Sequence, residues 1–140
     1  MLKCMVLLAE DFDDARELYR LCLENAGFAV HDIASGEVVM PLAIELRPDV
    51  VVLDVALPGL DGLSVAAQLR AHPVTAHLPI VVLSARAFPE DEARARAAGA
   101  AAFLRKPCLR DELAATLLRV SEACRQKQDA CSSGRPDATA

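Results

Sequence analysis

At 140 residues the chain has the length of one domain, enough to bury an aliphatic core without metal or disulfide staples. Its 15 Lys and Arg against 20 Asp and Glu give a formal charge of -5 with no basic cluster, which argues against phosphate-backbone binding as the main task. Hydrophobic residues make up 54% but aromatics only 4%, so the core is built of Val, Leu, Ile and Ala, a composition suited to helices packed on a branched aliphatic sheet.

Strand and helix signatures alternate along the chain. Lys3 to Ala9 reads as a buried strand, and Asp13 to Ala26 as a helix with Ala15, Leu18, Tyr19, Cys22 and Ala26 at helical spacing. Asp13 or Asp14 is placed to cap it, Glu17 to complete a capping box with Asp14, and Gly27 to close it. Phe28 to Ile33 is a second strand. Ser35 offers an N-cap for a helix reaching about Leu46, in which Pro41 lacks an amide donor and is expected to kink or shorten the helix. Val50 to Asp54 is the third strand, followed by the Pro58 to Gly62 turn and a helix over Leu63 to Arg70. Pro79 to Ser84 is the fourth strand. Pro89, with Glu90, Asp91 and Glu92 behind it, opens a helix suited to the helix dipole and ended by Gly99. Ala101 to Arg105 is the fifth strand, and Leu109 or Arg110 to about Cys124 the last helix, with Leu113, Leu117 and Val120 or Ser121 on one face. The order is (βα)5, an α/β fold. Residues 1–124 form the expected domain, and the polar stretch 125–140 reads as a disordered tail.

The five cysteines, Cys4, Cys22, Cys108, Cys124 and Cys131, are odd in number and lack CxxC spacing, and no charged-then-apolar leader precedes the first strand. They read as reduced thiols of a cytoplasmic protein. No apolar run approaches the ~20 residues that a membrane helix needs, so no membrane partner is expected.

Right-handed crossovers in a βαβ series bring all strand carboxyl ends to one sheet edge, where ligands of such sheets bind. That edge carries Glu10 and Asp11 after strand one, Asp54 after strand three, Ser84 after strand four and Lys106 after strand five. Three carboxylates close together repel unless a cation intervenes, and a hard ion such as Mg2+ suits oxygen ligands.

Glu10-Asp11, Asp54, Ser84-Ala85 and Lys106-Pro107, in this order and spacing, resemble the receiver domain of two-component response regulators over about Lys3 to Glu122. The resemblance implies a doubly wound, flavodoxin-like sheet in the order 2-1-3-4-5. It implies Asp54 as phosphoacceptor, with Glu10, Asp11, Asp54 and the Ala56 carbonyl holding Mg2+, and Lys106 and Ser84 contacting the phosphoryl group. Ser84 and Phe103 would be the switch pair, acting on the surface of helix four, strand five and helix five. The donor would be a sensor histidine kinase or a phosphotransfer protein, and the output an unknown downstream protein, with no nucleic acid bound directly. Such a chain is a signalling module, catalysing only its own phosphorylation and dephosphorylation.

Some positions depart from that pattern. Cys108 stands where the family usually has Phe, and Leu109 where a capping residue is expected, leaving the start of the last helix less firmly fixed. Ala100-Ala101-Ala102 replaces a frequent acidic pair, and Ala115 and Thr116 replace basic residues of the DNA-binding subgroup, so its charged dimer interface is missing. Ala56 and Arg86 occupy the positions that tune aspartyl-phosphate lifetime. His72 and His77 read as surface residues lacking a third metal ligand, and Arg94 and Arg96 as a solvated helix face open to a partner. A Mg2+ phosphatase with Asp54 as nucleophile would need a second Asp where Ala56 stands. A flavodoxin-like nucleotide binder would need a phosphate loop where Glu10 to Asp14 would repel phosphate. A receiver cut from a longer regulator is the remaining alternative.

Overall fold

The computed structural model describes residues 3–86, 88–108 and 110–133. Five strands, β1 (Met5–Ala9), β2 (Ala29–Ile33), β3 (Val50–Asp54), β4 (Ile80–Ser84) and β5 (Ala102–Arg105), form one parallel sheet in the order β2-β1-β3-β4-β5. This is the doubly wound α/β arrangement expected from the sequence. Helices α1 (Asp13–Asn25), α2 (Val39–Leu46), α3 (Gly62–Ala71), α4 (Pro89–Ala97), α5 (Arg110–Val120) and α6 (Glu122–Ser133) complete it. No helix among the described residues is long and apolar enough to cross a membrane.

Both faces of the sheet are covered, which is why β3 and β4 are apolar at nearly every position. Strand alternation divides the core in two. Val6, Leu8, Val50, Val52, Leu83 and Leu104 pack with Tyr19 and Leu23 of α1 and Leu113 and Leu117 of α5. Leu7, Ala9, Val51, Leu53, Ile80 and Val82 pack on the other face with Val39, Ala43, Val65, Leu69 and Ala95 from α2, α3 and α4.

Several local expectations change. In α1 the buried positions are Tyr19 and Leu23, whereas Leu18 and Ala26 are exposed: the helix is rotated so that Leu23, not Leu18, meets the sheet. Phe12, not Asp13 or Asp14, is its N-cap, and both aspartates lie in the first turn. The helix expected from Ser35 to Leu46 is shortened, as Pro41 suggested: Ser35 caps a 3₁₀ turn over Gly36–Val38, and α2 begins only at Val39, with Pro41 its third residue, where no intrahelical N–H is required. Gly27 and Gly99 do close α1 and α4, with φ of 97° and 107°.

The chain end differs most. The stretch after Arg125 is not irregular but helical as far as Ser133, and the last helix is broken at Ser121. The buried Ser121 hydroxyl accepts from the Cys124 N–H at 3.2 Å and lies 3.3 Å from the Asp49 carbonyl, so it is a side-chain N-cap that restarts the chain as α6. Ser121 three residues before Cys124 was the signal that the apolar periodicity masked. Residues 134–140 of the expected tail and Leu109 lie outside the described residues. The cysteines are also not all reduced: Cys4, before β1, and Cys124, in α6, form a disulfide across 120 residues of sequence, while Cys22 and Cys108 are free. Spacing along the chain carries no information on such a pair, because only the docking of α6 beside β1 makes them neighbours.

Leu83 is wholly buried between β3 and β5 on the face covered by α1 and α5. Leu83→Ala is expected to lower the unfolding free energy by about 3 kcal/mol, as read by urea denaturation.

Candidate functional site

Continuing the strand alternation past the strand ends places Glu10, Asp54 and Lys106 on the side of the sheet covered by α1 and α5. The ladder itself runs on: Glu10 N–H donates to the Ile33 carbonyl at 3.0 Å and Lys106 N–H to the Ser84 carbonyl at 2.7 Å. Three side chains far apart in sequence therefore converge. Lys106 Nζ lies 2.6 Å from Glu10 Oε1 and 3.2 Å from Asp54 Oδ2.

Glu10 is wholly buried and Asp54 is 4% exposed, so neither carboxylate is rescued by bulk water. The second oxygen of each is held by backbone: Phe12 N–H donates to Glu10 Oε2 at 3.2 Å and Ala56 N–H to Asp54 Oδ1 at 3.3 Å. Burial pushes the Glu10 carboxyl up from its ordinary range, opposed by the hydrogen bond from Lys106 and reinforced by the neighbouring Asp54. For Lys106 burial alone would lower the pKa, but the two carboxylates outweigh it and raise it. The ammonium is thus held charged between two buried acids.

Carboxylate oxygens of Glu10, Asp11 and Asp54 lie within 4.8 Å of one another, and Asp11 is exposed. This all-oxygen donor set, buried on one side and open on the other, fits a hard divalent cation such as Mg2+ and offers nothing to a soft one. His72 and His77 form no such group: His72 Nδ1 accepts from Val74 N–H at 3.1 Å, and His77 is exposed.

The loop after β3 holds Asp54 in place. Val55 N–H continues the pairing to the Leu83 carbonyl, and Gly62 N–H returns to the Val55 carbonyl at 2.9 Å. A Cβ on Gly62 would stand 2.2 Å from the Asp54 carbonyl oxygen, so the chain can fold back here only without a side chain. Asp61 caps α3 by accepting from Ser64 N–H.

Ser84 and Phe103 occupy the opposite alternation. Ser84 is buried at the end of β4, and its hydroxyl accepts from Arg86 N–H at 3.0 Å. Phe103 is half-buried against the second core and pairs in register with Val82, two residues before Ser84. Arg86 in turn lies 3.7 Å from Asp91 and 5.5 Å from the Phe88 ring, and Asp91 accepts from Phe88 N–H at the start of α4. Contacts therefore run without a gap from Ser84 to the first turn of α4.

A groove of about 480 Å³ opens beside Lys106, lined by Phe12, Ala15, Leu18, Tyr19 and Pro107. Phe12 and Leu18 are 61% and 56% exposed on its rim. Leu18 has the helical spacing of the apolar positions of α1 yet lies exposed, and Phe12, at the N-cap, has no periodicity to mark it. Tyr19 beneath them has its phenol pushed up to about 12 by burial and by the adjacent Cys108, so it is neutral.

Residues 6–118 match the response regulator receiver domain family. The chain is 36% identical over 123 residues to the sensory/regulatory protein RpfC of Xanthomonas campestris, an alignment covering 86% of this chain and 17% of RpfC. It is 32% identical over 102 residues to the polar-differentiation response regulator DivK of Brucella anthropi, covering 73% of this chain and 83% of DivK. Among solved structures, the receiver domain of a Pseudomonas aeruginosa sensor histidine kinase superposes with a TM-score of 0.79 at 31% identity, covering 85% of this chain and 98% of that one. That crystal structure has a magnesium ion coordinated in its active-site cleft.

Gly62→Ala is expected to displace the loop after β3 and cost about 1–3 kcal/mol of stability, with the amides of Val55 and Ala56 shifted in NMR spectra while those of α5 stay in place.

Proposed function

The chain belongs to the response regulator receiver family, and from that premise we propose that Asp54 accepts a phosphoryl group from a phosphohistidine donor and thereby switches the surface of α4, β5 and α5. The observation that carries this reading is the Asp54 carboxylate, buried, hydrogen-bonded to the Lys106 ammonium and flanked by Glu10 and Asp11. Asp54 would attack phosphorus through a carboxylate oxygen as the phosphorus–nitrogen bond to the donor imidazole breaks. Charge then spreads over the phosphoryl oxygens, so the site's task is positioning and cationic stabilisation. Glu10, Asp11, Asp54 and the Ala56 carbonyl would hold Mg2+, which when bound neutralises charge on the phosphoryl group.

Lys106 has a second part. It already bridges Glu10 and Asp54, so its ammonium lies where a phosphoryl oxygen on Asp54 would need a donor. The Ser84 hydroxyl would donate to another of those oxygens. Its movement would draw in the Arg86 amide, and through Asp91 and Phe88 the start of α4, leaving room for Phe103 to turn inward. Phe103 lacks a hydroxyl, so the signal is one of shape.

The apolar groove beside Lys106 would receive the donor, a sensor histidine kinase or a phosphotransfer protein, with Phe12 and Leu18 as its rim. The output partner is a protein, since the charge of -5 disfavours nucleic acid. A single-domain regulator accords with the extent of the DivK alignment, and a cytoplasmic place would bring it to its phosphodonor. A receiver segment of a longer sensory protein is the second reading, favoured by the match to RpfC, of which the chain spans only 17%.

With an acyl phosphate and Mg2+, intact mass is expected to show one phosphoryl group on the wild type, none on Asp54→Ala and none after chelation. Lys106→Ala is expected to slow the reaction about 10²- to 10³-fold, the usual loss for one stabilising donor. Equal phosphorylation of Asp54→Ala would sink the assignment. In a pull-down, a downstream partner should select the phosphorylated form, and substitution of Ser84 by Ala should abolish that preference while leaving the mass gain intact.

A further inference from the structure

We propose that Cys4 and Cys124 form a redox site, a disulfide latch holding α6 on the receiver fold, which a dithiol reductant opens. This inference is independent of the Asp54 reading. The two Cα atoms are 4.8 Å apart, within the span a disulfide bridges, and the side chains are 2% and 0% exposed.

What makes the bond a latch is the composition of α6. Among its described side chains only Cys124 is buried; Glu122, Arg125, Gln126 and Asp129 are exposed. A helix of this length is marginal in water without an apolar face to dock. Beyond Cys124, α6 is held by polar contacts such as Lys127 Nζ to Asp49 Oδ2 at 2.7 Å and Gln128 Nε2 to the Ala26 carbonyl at 3.2 Å. Part-exposed contacts of this kind contribute little each. The covalent bond, closing nearly the whole domain into a loop, is the strong tie.

Its position separates it from the phosphoacceptor end. Cys4 precedes β1 and Glu10 follows it, so the two sites lie at opposite edges of the sheet. Opening proceeds by thiol–disulfide exchange. A thiolate of the reductant attacks one sulfur, the Cys4–Cys124 bond breaks, and the electron pair leaves on the other sulfur, which takes a proton. The second reductant thiol displaces the mixed disulfide, leaving two cysteine thiols and an oxidised reductant. Because both sulfurs are buried, attack requires the first turn of α6 around Cys124 to open locally.

The full chain, kept free of reductant and alkylated in denaturant, should label at every cysteine except Cys4 and Cys124. Cys4 and Cys124 should label only after dithiothreitol. Native hydrogen exchange in α6 should quicken on reduction at least about tenfold more than in β3, whose amides report only the loss of global stability. The melting temperature should fall by on the order of 10 °C. Cys4→Ser should reproduce the fast-exchanging state without reductant; if that variant does not fold, the wild-type comparison still decides. Full alkylation of Cys4 and Cys124 before reduction would overturn the proposal. So would unchanged exchange in α6, or an equal loss of protection in α6 and β3.

Discussion

Two buried carboxylates at one sheet edge are tolerable only because a single ammonium lies between them. Lys106 bridges Glu10 and Asp54 across sequence separations of 96 and 52 residues, and without it the end of the sheet would carry uncompensated buried charge. Everything functional at this edge is arranged around that constraint. The exposed Asp11 adds a third carboxylate on the open side, and the fold thereby keeps a concentrated negative site that a divalent cation and a phosphoryl group can relieve together.

The period of two along a strand distributes the parts. Glu10, Asp54 and Lys106 belong to the alternation that faces α1 and α5, and Ser84 and Phe103 to the one that faces α4. Chemistry and response are thus built on opposite faces of the same strand ends. Ser84 connects them, being one strand away from Asp54 and bonded through the Arg86 amide to the loop that begins α4. A change at Asp54 can reach α4 by moving one hydroxyl and the short loop attached to it, with no rearrangement of the sheet.

The opposite edge has its own chemistry. There Asp49 accepts from Met5 N–H and from Lys127, Ser121 caps α6, and the Cys4–Cys124 bond joins the start of β1 to the helix. These contacts fasten an added helix onto a fold that is complete at α5. A redox event at this edge and a phosphoryl event at the other act on different elements, and β1 is the strand they share.

The alternation of apolar runs with helical periods was enough to determine five strands, the first five helices and the side of the sheet where function lies, because each of those follows from local pattern and from the handedness of crossovers. The positions of Glu10, Asp11, Asp54, Ser84 and Lys106 at strand ends were legible for the same reason. Only the tertiary structure decided that Lys106 contacts Glu10 as well as Asp54, that Leu23 rather than Leu18 joins Tyr19 in the core, and that Phe12 and Leu18 rim an open groove. It also decided that Cys4 meets Cys124 and that a helix continues past Ser121. Each of these depends on which distant surfaces meet, and on the rotation at which a helix docks, and neither is encoded in the spacing of residues along one segment.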